Sequence, residues 1–193
     1  MDSPRLQVDA RLNRYNHAIL SVYRSLVFVH VLSILVLLLC HGAAFTVTYV
    51  LRQERRPERM GVLLDLSLAS FDSRRALGRI FWIDFLVVVA SGIALMIAGG
   101  WWHWWWPWLS IGVFIGIVLA MRGLGGGPLS QVRRSLGLPW LAAGYGKPEW
   151  KEPEAPDPAA MEAALNRLMP TALTAIGVGG FAVLLWLMMF KPF

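Results

Sequence analysis

LVFVHVLSILVLLLCHGAAFTVTYVL, residues 26–51, decides the fold. The stretch contains no Asp, Glu, Lys or Arg, and as a helix it is about 39 Å long at 1.5 Å per residue, more than the ~30 Å of bilayer hydrocarbon. A run this long, with a polar-rich segment ahead of it, is expected to stay in the mature protein rather than be removed as a signal peptide. Two histidines interrupt its apolar character, His30 and His41. Such groups are costly in lipid and normally face the protein interior or a functional group, so the pair is the leading candidate site.

Three further apolar segments, near 80–99, 104–121 and 170–190, approach or reach spanning length. With 56% hydrophobic and 16% charged residues and a mean hydropathy of +0.54, the composition excludes an ordinary soluble domain. The expectation is an all-α integral membrane bundle of four transmembrane helices with an amphipathic N-terminal helix. Its parts are an amphipathic segment 1–24, a three-helix membrane core 25–135, a Pro-rich loop and short helix 136–169, and a fourth span with tail 170–193.

The net charge of +6 does not point to nucleic acid, because the basic residues flank the spans, where they mark orientation and contact with anionic lipid. The connections 51–79 and 122–169 hold 13 of the 18 Lys and Arg; the termini hold five and the connection between spans two and three none. The positive-inside rule then makes both connections cytoplasmic and both termini external, in an inner (plasma) membrane.

Val8, Leu12, Tyr15, Ile19 and Tyr23 recur at helical spacing and form a stripe that runs into the first span, with His17 at the headgroups. Residues 57–79 carry a short amphipathic run, Met60 to Leu68, expected to lie on the membrane surface. Five prolines and several glycines make 137–158 a loop. Asp157 is a candidate cap for a short helix from Pro158, and Pro170 opens the fourth span. Gly123-Leu124-Gly125-Gly126-Gly127 lacks the lysine of a phosphate loop and reads as a flexible exit loop.

Six tryptophans in residues 101–108 form an aromatic belt at a tight outer hairpin, either as an interfacial anchor or as a platform for a quinone, a carotenoid or a partner helix. Small residues four apart, Ala90/Ala94/Ala98, Gly112/Gly116/Ala120 and Ala175/Gly179/Gly180, predict close helix packing. Asp84, just inside span two, is expected to pair with Arg79 or Arg122, with a place on a proton path as the other reading.

Eleven residues at 100° each bring His41 to within about 20° of His30, on one face and about 16 Å apart. Ser33, Ala44 and Thr48 share that face, which should turn into the bundle. Neutral imidazoles there are suited to haem iron, chlorin magnesium or copper, or to a hydrogen bond with a neighbouring carbonyl. A bis-histidine haem needs a second imidazole at equal depth, for which the only candidates are His17 and His103; His41 needs an open position or a soft ligand such as Met96 or Met121. The candidate cofactor ligands are therefore His30, His41 and His103, with His30 and His41 as candidate metal ligands.

Val27-Phe28-Val29-His30-Val31-Leu32, then Gly42, an arginine-rich connection, Gly78-Arg79 before span two, the short hairpin, and Gln131-Val132-Arg133-Arg134 after span three resemble the copper-resistance protein D superfamily, most of all its branch of uncharacterised integral membrane proteins. The likeness covers roughly residues 24–135. It implies a four-helix membrane unit with a helix-borne histidine at His30, which some relatives, including membrane protoporphyrinogen oxidases, pair with a lysine of a later span to hold b-type haem. This chain has no lysine in a span before Lys191.

No catalytic signature such as GxSxG or HExxH occurs, so the expectation leans away from an enzyme. The leading functional expectation is an accessory subunit of a larger membrane complex of respiratory or photosynthetic type, in contact with lipid and with membrane-protein partners. The alternative is a small bundle that binds haem, another tetrapyrrole or copper through His30 and perhaps His41. A transporter-like unit is weakest, because the spans hold few charges and no inverted repeat is visible.

Overall fold

The computed structural model describes residues 4–142 and 149–192, with side chains from residue 17 onward except at 18. Four helices are long and apolar enough to cross a membrane: Ile19–Gln53, Ala76–Ala98, Trp105–Ser135 and Pro170–Phe190. Only 17–22% of each hydrophobic window is buried inside the protein, which leaves the rest to face lipid. This is a multi-pass, all-α membrane bundle.

The first helix, α1 (Pro4–Gln53), is continuous for 50 residues, about 75 Å. After Pro4 no proline and only one glycine, Gly42, interrupts it, so the N-terminal segment runs into the span without a break. Pro57 ends this run by holding Arg56 extended (φ −92°, ψ 115°) and then opens α2 (Pro57–Ala69). A tight turn through Asp72 leads to α3 (Ala76–Ala98); Asp72 Oδ1 accepts from the Arg74 amide at 3.0 Å. Gly78 crosses this turn so closely that a Cβ there would overlap the Asp72 carbonyl. Gly100, at φ 67°, turns the chain into the tryptophan hairpin and α4 (Trp105–Met121).

The glycine-rich run after α4 is not a loop. Residues 122–126 form a π turn that carries the helix into α5 (Gly127–Ser135). Keeping these backbone groups bonded within the helix satisfies them near the membrane, where water is scarce. Residues 137–142 and 149–157 are non-helical, in keeping with their prolines, and hold a short antiparallel pair, β1 (Trp140–Ala142) with β2 (Glu149–Lys151). Asp157 Oδ1 caps α6 (Pro158–Asn166) by accepting from the Ala159 and Ala160 amides, each at 3.0 Å. Pro170 starts the fourth span: α7 (Pro170–Thr174), a second π turn at 175–179, and α8 (Gly180–Phe190).

Within the membrane α1 packs on α3 and α4 on α8. A Phe85–Phe114 stack at 5.6 Å joins α3 to α4, and Phe181 of α8 reaches His41 of α1. At one end, α2, α5 and α6 form a cap whose core is Leu51, Met60, Leu64, Val132, Ala164, Leu165 and Leu168. The amphipathic run of α2 therefore inserts Met60 and Leu64 into this core instead of only resting on lipid, although Val62 and Leu66 stay exposed. Arg133, nearly buried, bonds Asp65 at 2.7 Å and the Pro139 carbonyl at 2.9 Å and so ties α5 to α2 and to the strand pair. At the opposite end Trp101 packs on Tyr23 (6.3 Å) and under the Lys191 ammonium (3.9 Å). The hairpin, the start of the first span and the end of the fourth thus share one end of the bundle.

Only some of the expected small-residue contacts form. Gly180 packs on Ile117, while Gly177, which the expected pattern did not include, packs on Phe45 and Met121. A Cβ on Gly112, Gly116 or Gly179 would meet nothing within 4 Å. On α3 the close approach is made by Gly92, against the His30 ring.

Candidate functional site

The inward face of α1 consists of His30, Ser33, Leu37, His41, Ala44 and Thr48, whose three- and four-residue steps form one stripe. His30, Ser33, Leu37 and Thr48 are buried and His41 is half-buried. Both histidines therefore lie on one face, as the 20° offset requires, and that face turns into the protein.

Ser91 of α3 meets His30, with Nδ1 2.9 Å from Oγ. The Ser91 hydroxyl proton goes to the Val87 carbonyl at 2.6 Å, so Oγ is left to accept and His30 Nδ1–H donates. Beside it, a Cβ on Gly92 would stand 3.2 Å from His30 Cε1, so this ring edge lies against the backbone of α3. Sequence reasoning overlooked Ser91, although the signal was available. Ser91 is the only hydroxyl residue of α3 and lies two turns from Asp84 on the same face.

His41 has different surroundings. Its Nδ1–H donates to the Leu37 carbonyl one turn back at 2.8 Å, which makes Nε2 the lone-pair nitrogen. Four phenylalanines surround the ring at centroid distances of 5.8–6.4 Å: Phe71 before α3, Phe81 on α3, Phe181 on α8 and Phe45 on α1. None of these was singled out from the sequence, because they come from four separate segments. Met121 reaches the same region, since it shares the groove at Gly177 with Phe45.

His103 is exposed on the hairpin, its ring 4.4 Å from that of Trp102. His17 is exposed on α1. Neither is brought to His30 or His41, and among the described residues no group of three or more His, Cys, Asp or Glu could hold a metal ion. Cys40 is a half-buried free thiol.

Asp84 departs from expectation. It forms none of the ion pairs seen among the described residues; those of the aspartates fall to Asp65 and Asp72 in the cap. The polar neighbour of its carboxyl is Ser33, and Oδ2 is buried without a hydrogen-bond partner. α3 turns Asp84 toward α1 and away from the arginines at the membrane edge.

The tryptophan hairpin is packed on its inner side, where Trp106 is buried against Trp101, and open on its outer side, where Trp102, Trp104, Trp105 and Trp108 are exposed. That division suits an interfacial anchor, with one face on protein and the other at the headgroups.

Comparison of the chain with protein-family models, curated proteins and solved structures found no match.

Proposed function

We propose that the chain is a non-catalytic accessory subunit of a larger membrane complex of respiratory or photosynthetic type, in the inner (plasma) membrane with the cap in the cytoplasm and both termini outside. The observation that supports it is the unused face of α4. Gly112, Ile115, Gly116 and Leu119 follow one another at helical spacing and are exposed, and a Cβ on either glycine meets nothing. Glycines one turn apart let a second helix approach closely where lipid offers no hydrophobic drive for association. The bundle uses Gly92, Gly177 and Gly180 in this way and leaves Gly112 and Gly116 for a helix outside it. The 13-to-5 division of Lys and Arg supports the orientation.

The test is the size of the chain when extracted at native abundance from its own membrane in mild detergent. The wild type should migrate within a larger assembly together with known redox subunits, and Gly112→Leu/Gly116→Leu should migrate at the size of the isolated bundle. A wild type that already migrates alone refutes the reading.

A second reading rests on the bare Nε2 of His41. A histidine whose Nδ1–H is held by a carbonyl presents Nε2 to a metal, and the Met121 thioether near Phe45 adds a soft donor suited to copper. A haem or other tetrapyrrole would have one axial imidazole from this chain, because the geometry does not fit a bis-histidine site. His103 and His17 are remote, and one edge of the His30 ring is closed by Gly92. The likeness to the copper-resistance protein D superfamily implies a histidine ligand at His30, not at His41. A visible spectrum and metal analysis of the purified protein test this: a Soret band or bound copper lost in His41→Ala supports it, and a colourless, metal-free protein refutes it.

A further inference from the structure

We propose that Asp84 is a proton-binding site inside the membrane, holding its proton as a neutral carboxylic acid on the seam between α1 and α3. This stands apart from both readings above and uses none of their residues as ligands.

Asp84 lies eight residues into α3, about 12 Å along the helix from the cap end. Its Oδ2 is buried with no donor, its polar neighbour is the Ser33 hydroxyl, and no cation among the described residues forms an ion pair with it. A carboxylate in that position keeps a full charge in a low-dielectric setting with one oxygen unanswered, the costliest form a carboxyl can take there. Protonation removes the charge and supplies the missing hydrogen on the carboxyl itself. A single hydroxyl neighbour can serve a neutral acid, whereas stabilising an anion takes a cation or several donors.

The groups that face it do not supply such a cation. From α1 it meets Ser33, with Cys40 within reach of its charge and His30 one turn from Ser33 toward the hairpin, engaged with Ser91. On its own helix Arg79 lies five residues toward the cap and is exposed. From α4 the neighbouring contact is the Phe85–Phe114 stack, and Arg122 at the end of that helix has contacts of its own.

A hydrophobic carbodiimide tests the site directly, because it consumes the acid form. One carbodiimide nitrogen takes up the carboxyl proton, the carboxylate oxygen bonds to the central carbon, and the O-acylisourea rearranges to a stable N-acylurea. The adduct has the mass of acid plus reagent, with nothing oxidised and nothing lost. Full-length protein in lipid vesicles is treated with dicyclohexylcarbodiimide across a pH series, in potassium or sodium salt, and mapped by peptide mass.

The proposal expects an adduct on Asp84 that falls about tenfold per pH unit above its midpoint, is indifferent to sodium, and disappears in Asp84→Asn. Adducts confined to cap carboxyls such as Asp65, Asp72 or Glu54 overturn it. Protection by sodium overturns it in favour of a metal-cation site. Infrared spectra of the unlabelled wild type provide a readout that needs no variant. The carbonyl stretch of a protonated acid, shifted in D2O, must be present; its absence refutes the neutral state.

Discussion

The same substitution at two glycines should have opposite consequences. Gly180 and Gly112 are both helical, both in spans and both part of the small-residue pattern, so glycine-to-leucine changes helix propensity equally at each. Their surroundings differ. A Cβ on Gly180 would lie 2.7 Å from Ile117 Cγ1, well inside contact distance, and a β-branched isoleucine in a helix has little rotameric freedom to withdraw. A Cβ on Gly112 meets nothing. Overpacking a close contact costs about 1–3 kcal/mol, so the two leucine variants should differ in stability by about 2 kcal/mol, roughly 30-fold in the folded ratio. Purified variants in mixed micelles, unfolded by increasing mole fraction of sodium dodecyl sulfate and followed by helicity, give that difference directly. Gly180→Leu should unfold at lower detergent fraction and Gly112→Leu with the wild type. Equal midpoints would refute the assignment of Gly180 to the α4–α8 contact and of Gly112 to an unused face.

Three other outcomes follow from the described contacts. Ser91→Ala removes the Oγ acceptor of His30 Nδ1–H, leaving the Val88 carbonyl beside the ring, and should cost about 1 kcal/mol; the loss should shrink in a His30→Leu background when the two are compared in a double-mutant cycle. Asp157→Ala removes the cap of α6 and should cost about 1 kcal/mol, visible as faster amide exchange across 159–166. The Arg74 side chain, bonded to Asp72 at 3.0 Å, holds the Asp72 carboxyl below its ordinary value, so its contribution is present above about pH 4 and is lost as pH falls through the depressed value. Thermal melts should show cap stability declining below about pH 4 in the wild type, and a flatter profile over that window in Asp72→Asn.

The membrane fold was legible because insertion depends on local composition. A run such as 26–51 has to cross a bilayer whatever its neighbours do, and prolines at 57 and 170 mark helix starts by sterics alone. The cap of α6 by Asp157 is local chemistry too. The glycine run 123–127 was misread because glycine lowers helix propensity in water, whereas near the membrane the backbone has few partners other than itself. Asp84 was assigned to arginines by nearness in sequence, and the rotation of α3 gave it to Ser33 instead. The amphipathic run of α2 was legible as such, but not that α5 and α6 would cover Met60 and Leu64.

For the histidines, helical arithmetic put both rings on one face, because the angle between two positions on a helix depends only on their separation, and the Ser33, Ala44 and Thr48 that share the face marked it as the inward one. What meets each ring was decided by tertiary structure. Ser91 and Gly92 answer His30 through the register of α3, and Phe71, Phe81 and Phe181 from distant segments join Phe45 around His41 through the packing of α1, α3 and α8. Gly112 and Gly180 carry the same sequence signal, and only the placement of α4 against α8 makes one a contact and leaves the other facing outward. The periodicity of a helix says which side chains share a face; the partner of that face is fixed by long-range packing that no single segment encodes.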